Sequence, residues 1–221
     1  SYEIMSMPLD IPVRYHRQGY EITALPLFAL ALYADEENAN GLAVERITLQ
    51  FSKDAARSHA SAQTFVGELI SQFQNGKWKR YISDLCPAVT GRSAFLNEAG
   101  EPEQIGNCPL DPAYRLSADD WVRMIGMTQN YKWIGDGVLA TLTVRYSDDV
   151  RGITYSINLE FDDFALKRRR DESNLARKLA EGDAEGRNST AKDREGKLER
   201  KARIKILEEN AQRRGDTIVP R

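Results

Sequence analysis

Histidine and cysteine are scarce in this chain, with two of each in 221 residues. That scarcity excludes much chemistry. Cys86 and Cys108 stand alone rather than in C-x2-C pairs, and no histidine cluster accompanies them, so the ligand spacing of a zinc site is missing. A catalytic thiol needs a base beside it, and His16 and His59 are remote from both cysteines in sequence. Also missing are the phosphate-cradling G-x-x-x-x-G-K-[ST] loop, the G-x-G-x-x-G turn, the H-E-x-x-H pair and the G-x-S-x-G elbow. No apolar run approaches the roughly 18 residues of a membrane-crossing helix. The longest, residues 24–34, contains Pro26. These absences point away from an enzyme, and no cofactor or metal is expected.

What is present starts with the cysteines. Each is followed by proline, which favours extended backbone, and between them lie Pro87, Gly91, Gly100, Pro102 and Gly106. An irregular segment of this length is uncommon inside a domain unless it is functional or stapled. A Cys86–Cys108 disulfide is the expectation, with two reduced core cysteines as the alternative. Closing this loop would contribute about 3.4 kcal/mol in the chain-entropy model. It would also imply an oxidising compartment. The chain opens on Ser1 rather than Met, as removal of a leader or simple trimming would leave it. The opening SYEIMSMPLD suits the residues that follow the lipidated cysteine of a bacterial lipoprotein.

Charge is divided unevenly. Residues 1–163 hold 14 Lys and Arg against 22 Asp and Glu, whereas residues 164–221 hold 17 against 11. An acidic body carrying a basic tail suggests either a tail with a partner or a tail folded on its own body. The densest basic cluster is Lys167, Arg168, Arg169 and Arg170. It is a candidate contact for an acidic protein, an anionic lipid surface or nucleic acid, with a solvated helix face as the plainer reading. Basic and aromatic residues mix at 75–81 and 130–137, as in single-strand nucleic-acid binders. The acidity of the body opposes phosphate contacts, so nucleic acid is not the expected partner. Asn188-Ser189-Thr190 matches a glycosylation acceptor pattern.

Periodicity predicts the elements. Residues 11–17 alternate as a short strand, and 27–34 read as a strand because Pro26 disfavours a helix there. Ile47, Leu49 and Phe51 share one face of a strand that should form a hairpin with 27–34 across the polar 35–41 loop. Phe65, Val66, Leu69, Ile70 and Phe73 recur at helical spacing, with Ser52 or Asp54 as cap and Asn75-Gly76 as stop. Ser117 and Asp120 make a capping box, Leu116 and Trp121 a hydrophobic staple, and Trp121, Met124 and Ile125 a core face. The clearest strands hold Val138, Ala140, Leu142, Val144 and Tyr146, then Ile153, Tyr155, Ile157, Leu159 and Phe161, joined by a turn over 147–152. Beyond Phe164 no aromatic occurs, and Gly182, Gly186 and Gly196 interrupt a helix-forming composition. The expected fold is therefore α+β. It has an antiparallel sheet of about four to five strands packed with two short helices. Residues 1–163 would form the globular domain and 164–221 a charged helical tail with a flexible middle.

His59 lies beside Ser58 and Ser61, a conceivable acyl-transfer pair, but without a nucleophile elbow it reads as a surface histidine near a helix start. Asp119-Asp120, Asp148-Asp149 and Asp162-Asp163 read as helix start, hairpin turn and strand end. The function expected is that of a non-enzymatic, exported bacterial protein, periplasmic or lipid-anchored, that binds another protein. An envelope-assembly factor or a toxin-blocking immunity protein would have these features. The alternative is a cytosolic adaptor whose basic tail meets nucleic acid or an acidic partner.

Overall fold

A computed structural model describes residues 2–34, 44–124, 126–149 and 152–221. In chain order the strands are β1 (Tyr2–Met5), β2 (Val13–Tyr15), β3 (Ile22–Ala24), β4 (Leu27–Ala34), β5 (Val44–Phe51), β6 (Lys79–Arg80), β7 (Gln129–Gly135), β8 (Val138–Asp149) and β9 (Gly152–Asp163). The α-helices are α1 (His59–Asn75), α2 (Ala118–Arg123), α3 (Phe164–Ala184) and α4 (Ser189–Arg213).

The most regular alternation in the sequence becomes the centre of the sheet. β8 and β9 pair antiparallel with Ala140 opposite Phe161, Leu142 opposite Leu159 and Val144 opposite Ile157, all buried. The opposite face of the same ladder pairs Thr141 with Glu160 and Thr143 with Asn158. Alternation of this kind lets a sheet bury one face and leave the other polar. β5 adds to β9 and β4 to β5, so the anticipated β4–β5 hairpin forms; its loop, residues 35–43, lies outside the described residues, as do Ile125 and the turn residues Val150 and Arg151.

Among the described residues the sheet has seven strands, ordered β1-β4-β5-β9-β8-β7-β6, rather than the four or five expected. β2 and β3 pair separately. The additional strands have weak patterns. β1 is wholly exposed, and β6 has only two residues. β7 puts Gln129 on the apolar face ahead of Tyr131 and Trp133, which breaks the apolar alternation at its start.

α1 covers the buried face through Ala62, Val66, Leu69 and Phe73. The Phe73 ring stacks on Trp133 at 4.0 Å, and Phe65 meets Phe51 edge-on. α1 runs for 17 residues and is capped by Ser58, whose hydroxyl accepts from Ser61 N while Ser61 Oγ accepts from Ser58 N. Ser52 instead caps a short 3-10 turn at Lys53–Ala56. Ser117 caps α2 as expected, but the Asp120 carboxylate turns away from the cap to Arg92 and Tyr114.

The tail forms a helical hairpin. Its middle is a tight turn at 185–188, where Arg187 N bonds Gly182 O and a Cβ on Gly182 would run into Ser189. Gly182 is thus set by close approach of the two helices. α4 returns to the body and buries Ile204, Leu207 and Ala211. Leu207 joins Ile82, Cys86, Ala88, Ile105 and Cys108 in a second apolar cluster, apart from the core under α1.

Candidate functional site

Cys86 and Cys108 are bonded, with Cα atoms 5.4 Å apart. The loop they close is a docking platform for the chain's own C-terminal region. Arg200 donates to Leu85 O, Arg203 holds Glu98 and Glu103, and Glu208 accepts from Ala88 N at 2.9 Å. Beyond α4, Val219 N donates to Ala88 O, and Arg221 bonds Glu208 and Cys86 O. Asp216 accepts from Ser93 N and sits where a side chain on Gly91 would have to go. The disulfide and the tail therefore order the same loop.

Lys167, Arg168, Arg169 and Arg170 occupy the first turns of α3. Lys167 and Arg170 turn inward to the buried Asp162, at 3.7 and 3.9 Å, and Arg170 also reaches Glu45. Asp162 accepts in addition from Arg46 Nε at 2.7 Å. Arg168 faces Glu172 one turn on, and Arg169 is exposed. Half of this basic cluster thus neutralises a buried carboxylate instead of presenting itself to a partner.

His59 meets neither neighbouring serine. Ser58 and Ser61 are committed to the helix cap, while His59 Nδ1 lies 2.7 Å from the Tyr155 hydroxyl. That hydroxyl also accepts from Trp121 Nε1 at 2.8 Å, and burial raises the Tyr155 pKa. The trio ties α1, α2 and β9 together and lacks a polarised serine. Among the described residues no group of three or more His, Cys, Asp and Glu is placed to hold a metal ion, and no helix is long and apolar enough to cross a membrane.

The feature missed from sequence is β1. It ends the sheet, pairing with β4 through Tyr2–Leu32, Glu3–Ala31, Ile4–Leu30 and Met5–Ala29. Tyr2 is 64% exposed, Met5 58% and Ile4 40%. Among the described residues no strand pairs with the outer edge of β1; the strand is short and carries one charge, Glu3, but no lysine, proline or bulge. Leu25, Phe28 and Tyr33, on or next to β4, are exposed as well. Alongside, the β2 hairpin and the floor formed by Leu30, Leu32, Ile47 and Phe161 enclose a cleft of about 360 Å³. The signal was the alternation of Tyr2 and Ile4 against Glu3, too short to register by periodicity. Comparison with protein-family models, curated proteins and solved structures finds no match, so the site is read from its own geometry.

Proposed function

We propose that this is a non-enzymatic, exported binding protein that takes an extended segment of another protein onto the β1 edge by strand addition. The observation that carries the reading is a sheet edge whose four residues are all exposed and three of which are large and apolar. An edge of this kind supplies main-chain hydrogen bonds for affinity, and apolar neighbours supply side-chain selectivity. Tyr2 and Ile4 lie on one face of β1 and Met5 on the other, so large apolar side chains flank the edge on both sides. The disulfide supports export, because such bonds persist in oxidising compartments.

A photo-crosslinking residue placed at Tyr2 or Met5 tests the partner in the native host, with the exposed Leu198 of α4 as control. A heterologous adduct of one defined mass from the β1 positions, absent from Leu198 and lost with Ile4→Asp, is expected. No adduct, an equal yield from Leu198, or an adduct of twice the chain's own mass would sink the reading. Alkylation of the same extracts without reductant tests compartment. No free thiol is expected, whereas two would move the protein inside the cell, with the basic tail as its contact.

A further inference from the structure

The basic and aromatic run at 75–81 builds a cleft at the opposite end of the sheet from β1. Trp78, Arg80 and Ile82 alternate along the extended chain through β6, so their side chains fall on one face. Trp133 of β7 stands directly opposite Arg80. All four line a cleft of about 350 Å³, within the range of small-molecule sites. Two hydrogen bonds fasten its walls: Gln74 Nε2 donates to Pro112 O at 2.9 Å, and Val219 N donates to Ala88 O at 2.8 Å. Arg80 and Asp111 are the only charged residues in the lining.

Arg80 uses only one edge of its guanidinium. Nη1 donates to Val89 O at 2.8 Å and lies 3.6 Å from Asp111 Oδ1. Nε and Nη2, whose N–H groups share the other edge of the fork, are buried and have no hydrogen-bond partner among the described residues. Trp78 Nε1 is equally buried and unpartnered. Its indole is fixed edge-on against Tyr20 and Phe73, at 5.2 and 5.3 Å, and cannot swing toward another acceptor. Three buried donors without acceptors are unfavourable unless a ligand or water supplies them. Asp111 does not serve them, because its oxygens take Gly91 N at 2.6 Å and Ala113 N at 3.0 Å. Burial lowers the Arg80 pKa, and the Asp111 charge raises it by less, so the guanidinium charge is incompletely compensated.

We infer that this cleft binds a small carboxylate with an apolar body. Its two oxygens take the Nε–Nη2 edge of Arg80 side by side, the bidentate geometry of an arginine–carboxylate pair, and one of them also receives the Trp78 N–H. The body lies against Ile82, Trp133 and Val219. A neutral carbonyl would accept the hydrogen bonds but leave the guanidinium charge uncompensated. The three donors are shielded from bulk water, so the ligand reaches them past Val219 and Pro220, the part of the wall that follows α4.

Nuclear magnetic resonance of isotope-labelled protein tests this with benzoate as probe. Saturable amide shifts at residues 78–82, 111–113 and 217–220 are expected, together with movement of the Arg80 Nε–H and Trp78 Nε1–H signals. Benzamide, the same ring without the charge, should bind about tenfold more weakly, because charge-assisted hydrogen bonds are about twice as strong as neutral ones. Inorganic phosphate, an anion without an apolar body, should also bind more weakly than benzoate. Arg80→Lys keeps the charge and loses the fork, and should weaken benzoate about tenfold. Trp78→Phe should weaken it about fivefold, the worth of one hydrogen bond. Should Arg80→Lys fail to fold, Trp78→Phe and the ratio of benzoate to benzamide decide. Absence of saturable shifts would overturn the inference and leave water as the occupant. So would shifts that spare the two side-chain N–H signals, benzamide binding as tightly as benzoate, or an unchanged benzoate affinity in Trp78→Phe. Phosphate binding as tightly as benzoate would reduce the cleft to an adventitious ion only.

Discussion

Asp120 stands in the first turn of α2, where a carboxylate suits the helix dipole, yet its side chain has a larger task. It is buried and receives Arg92 at 2.8 Å and Tyr114 Oη at 2.9 Å, tying the disulfide-closed loop to the helix. Burial pushes the carboxyl pKa up, but the hydrogen bonds from Arg92 and Tyr114 outweigh it and lower the pKa. A pKa lowered in the folded state contributes stability above the unfolded value, about 3.9 for aspartate, and that contribution is lost as pH falls through the folded value. Asp120→Asn should therefore cost about 2 kcal/mol at pH 7. It should also flatten the loss of stability below about pH 4. Urea titrations of both proteins at pH 7 and on the acid side measure the difference, and parallel curves would show that the carboxylate contributes nothing specific.

At the scale of elements, α4 shows how little apolar surface is needed to dock a charged helix. Its composition is dominated by Lys, Arg and Glu, and only Ile204, Leu207 and Ala211 are buried. Leu207 is 2% exposed against the disulfide, whereas Leu198 on the same helix is 63% exposed. Leu207→Ala should lose about 2–4 kcal/mol by removing a buried side chain and leaving a cavity. Leu198→Ala should stay within about 0.5 kcal/mol of the parent, as exposed positions do. Chemical denaturation distinguishes them. Hydrogen exchange should quicken in 200–221 in the Leu207 variant first, because the polar anchors Arg200, Arg203 and Glu208 are set in place by the same helix.

For the whole molecule, the division of charge is resolved by contact. The excess of acid before residue 163 and of base after it meet across Arg203 with Glu98 and Glu103, and across Lys167 and Arg170 with Asp162. Most of these pairs are partly exposed and individually modest, but they sit around the apolar cluster that α4 completes. Deleting residues 164–221 should therefore lower the melting temperature and uncover Ile82, Ala88 and Ile105. An unchanged melting temperature would mean that the tail is held in reserve for a partner.

Several of these features were legible from one sequence. The β8–β9 ladder, α1, the Ser117 cap and the paired cysteines each rest on local chemistry: strict alternation, helical spacing, a hydroxyl one turn before an amide, and prolines flanking a loop that needed a staple. The short strands β1 and β6 were not legible, since two to four residues carry too little period to outweigh their neighbours. Gln129 hid the start of β7 in the same way. The tail glycines read as interruptions, and only the approach of Ser189 to Gly182 shows that one of them shapes a turn.

The candidate site was still less visible. Lys167–Arg170 stood out as a run of like charge, but sequence does not reveal that Asp162 lies under it. His59 drew notice beside two serines, and its actual partner, Tyr155, comes from a strand 96 positions away. The sequence by itself determined the longer helices and strands, which of their faces are apolar and where a disulfide was needed, because those depend on neighbours within a turn or two. Only the tertiary structure decided which edge of the sheet is left unpaired, which charges are spent internally and which cavities stay open. Each of those is settled by residues distant in sequence competing for the same space.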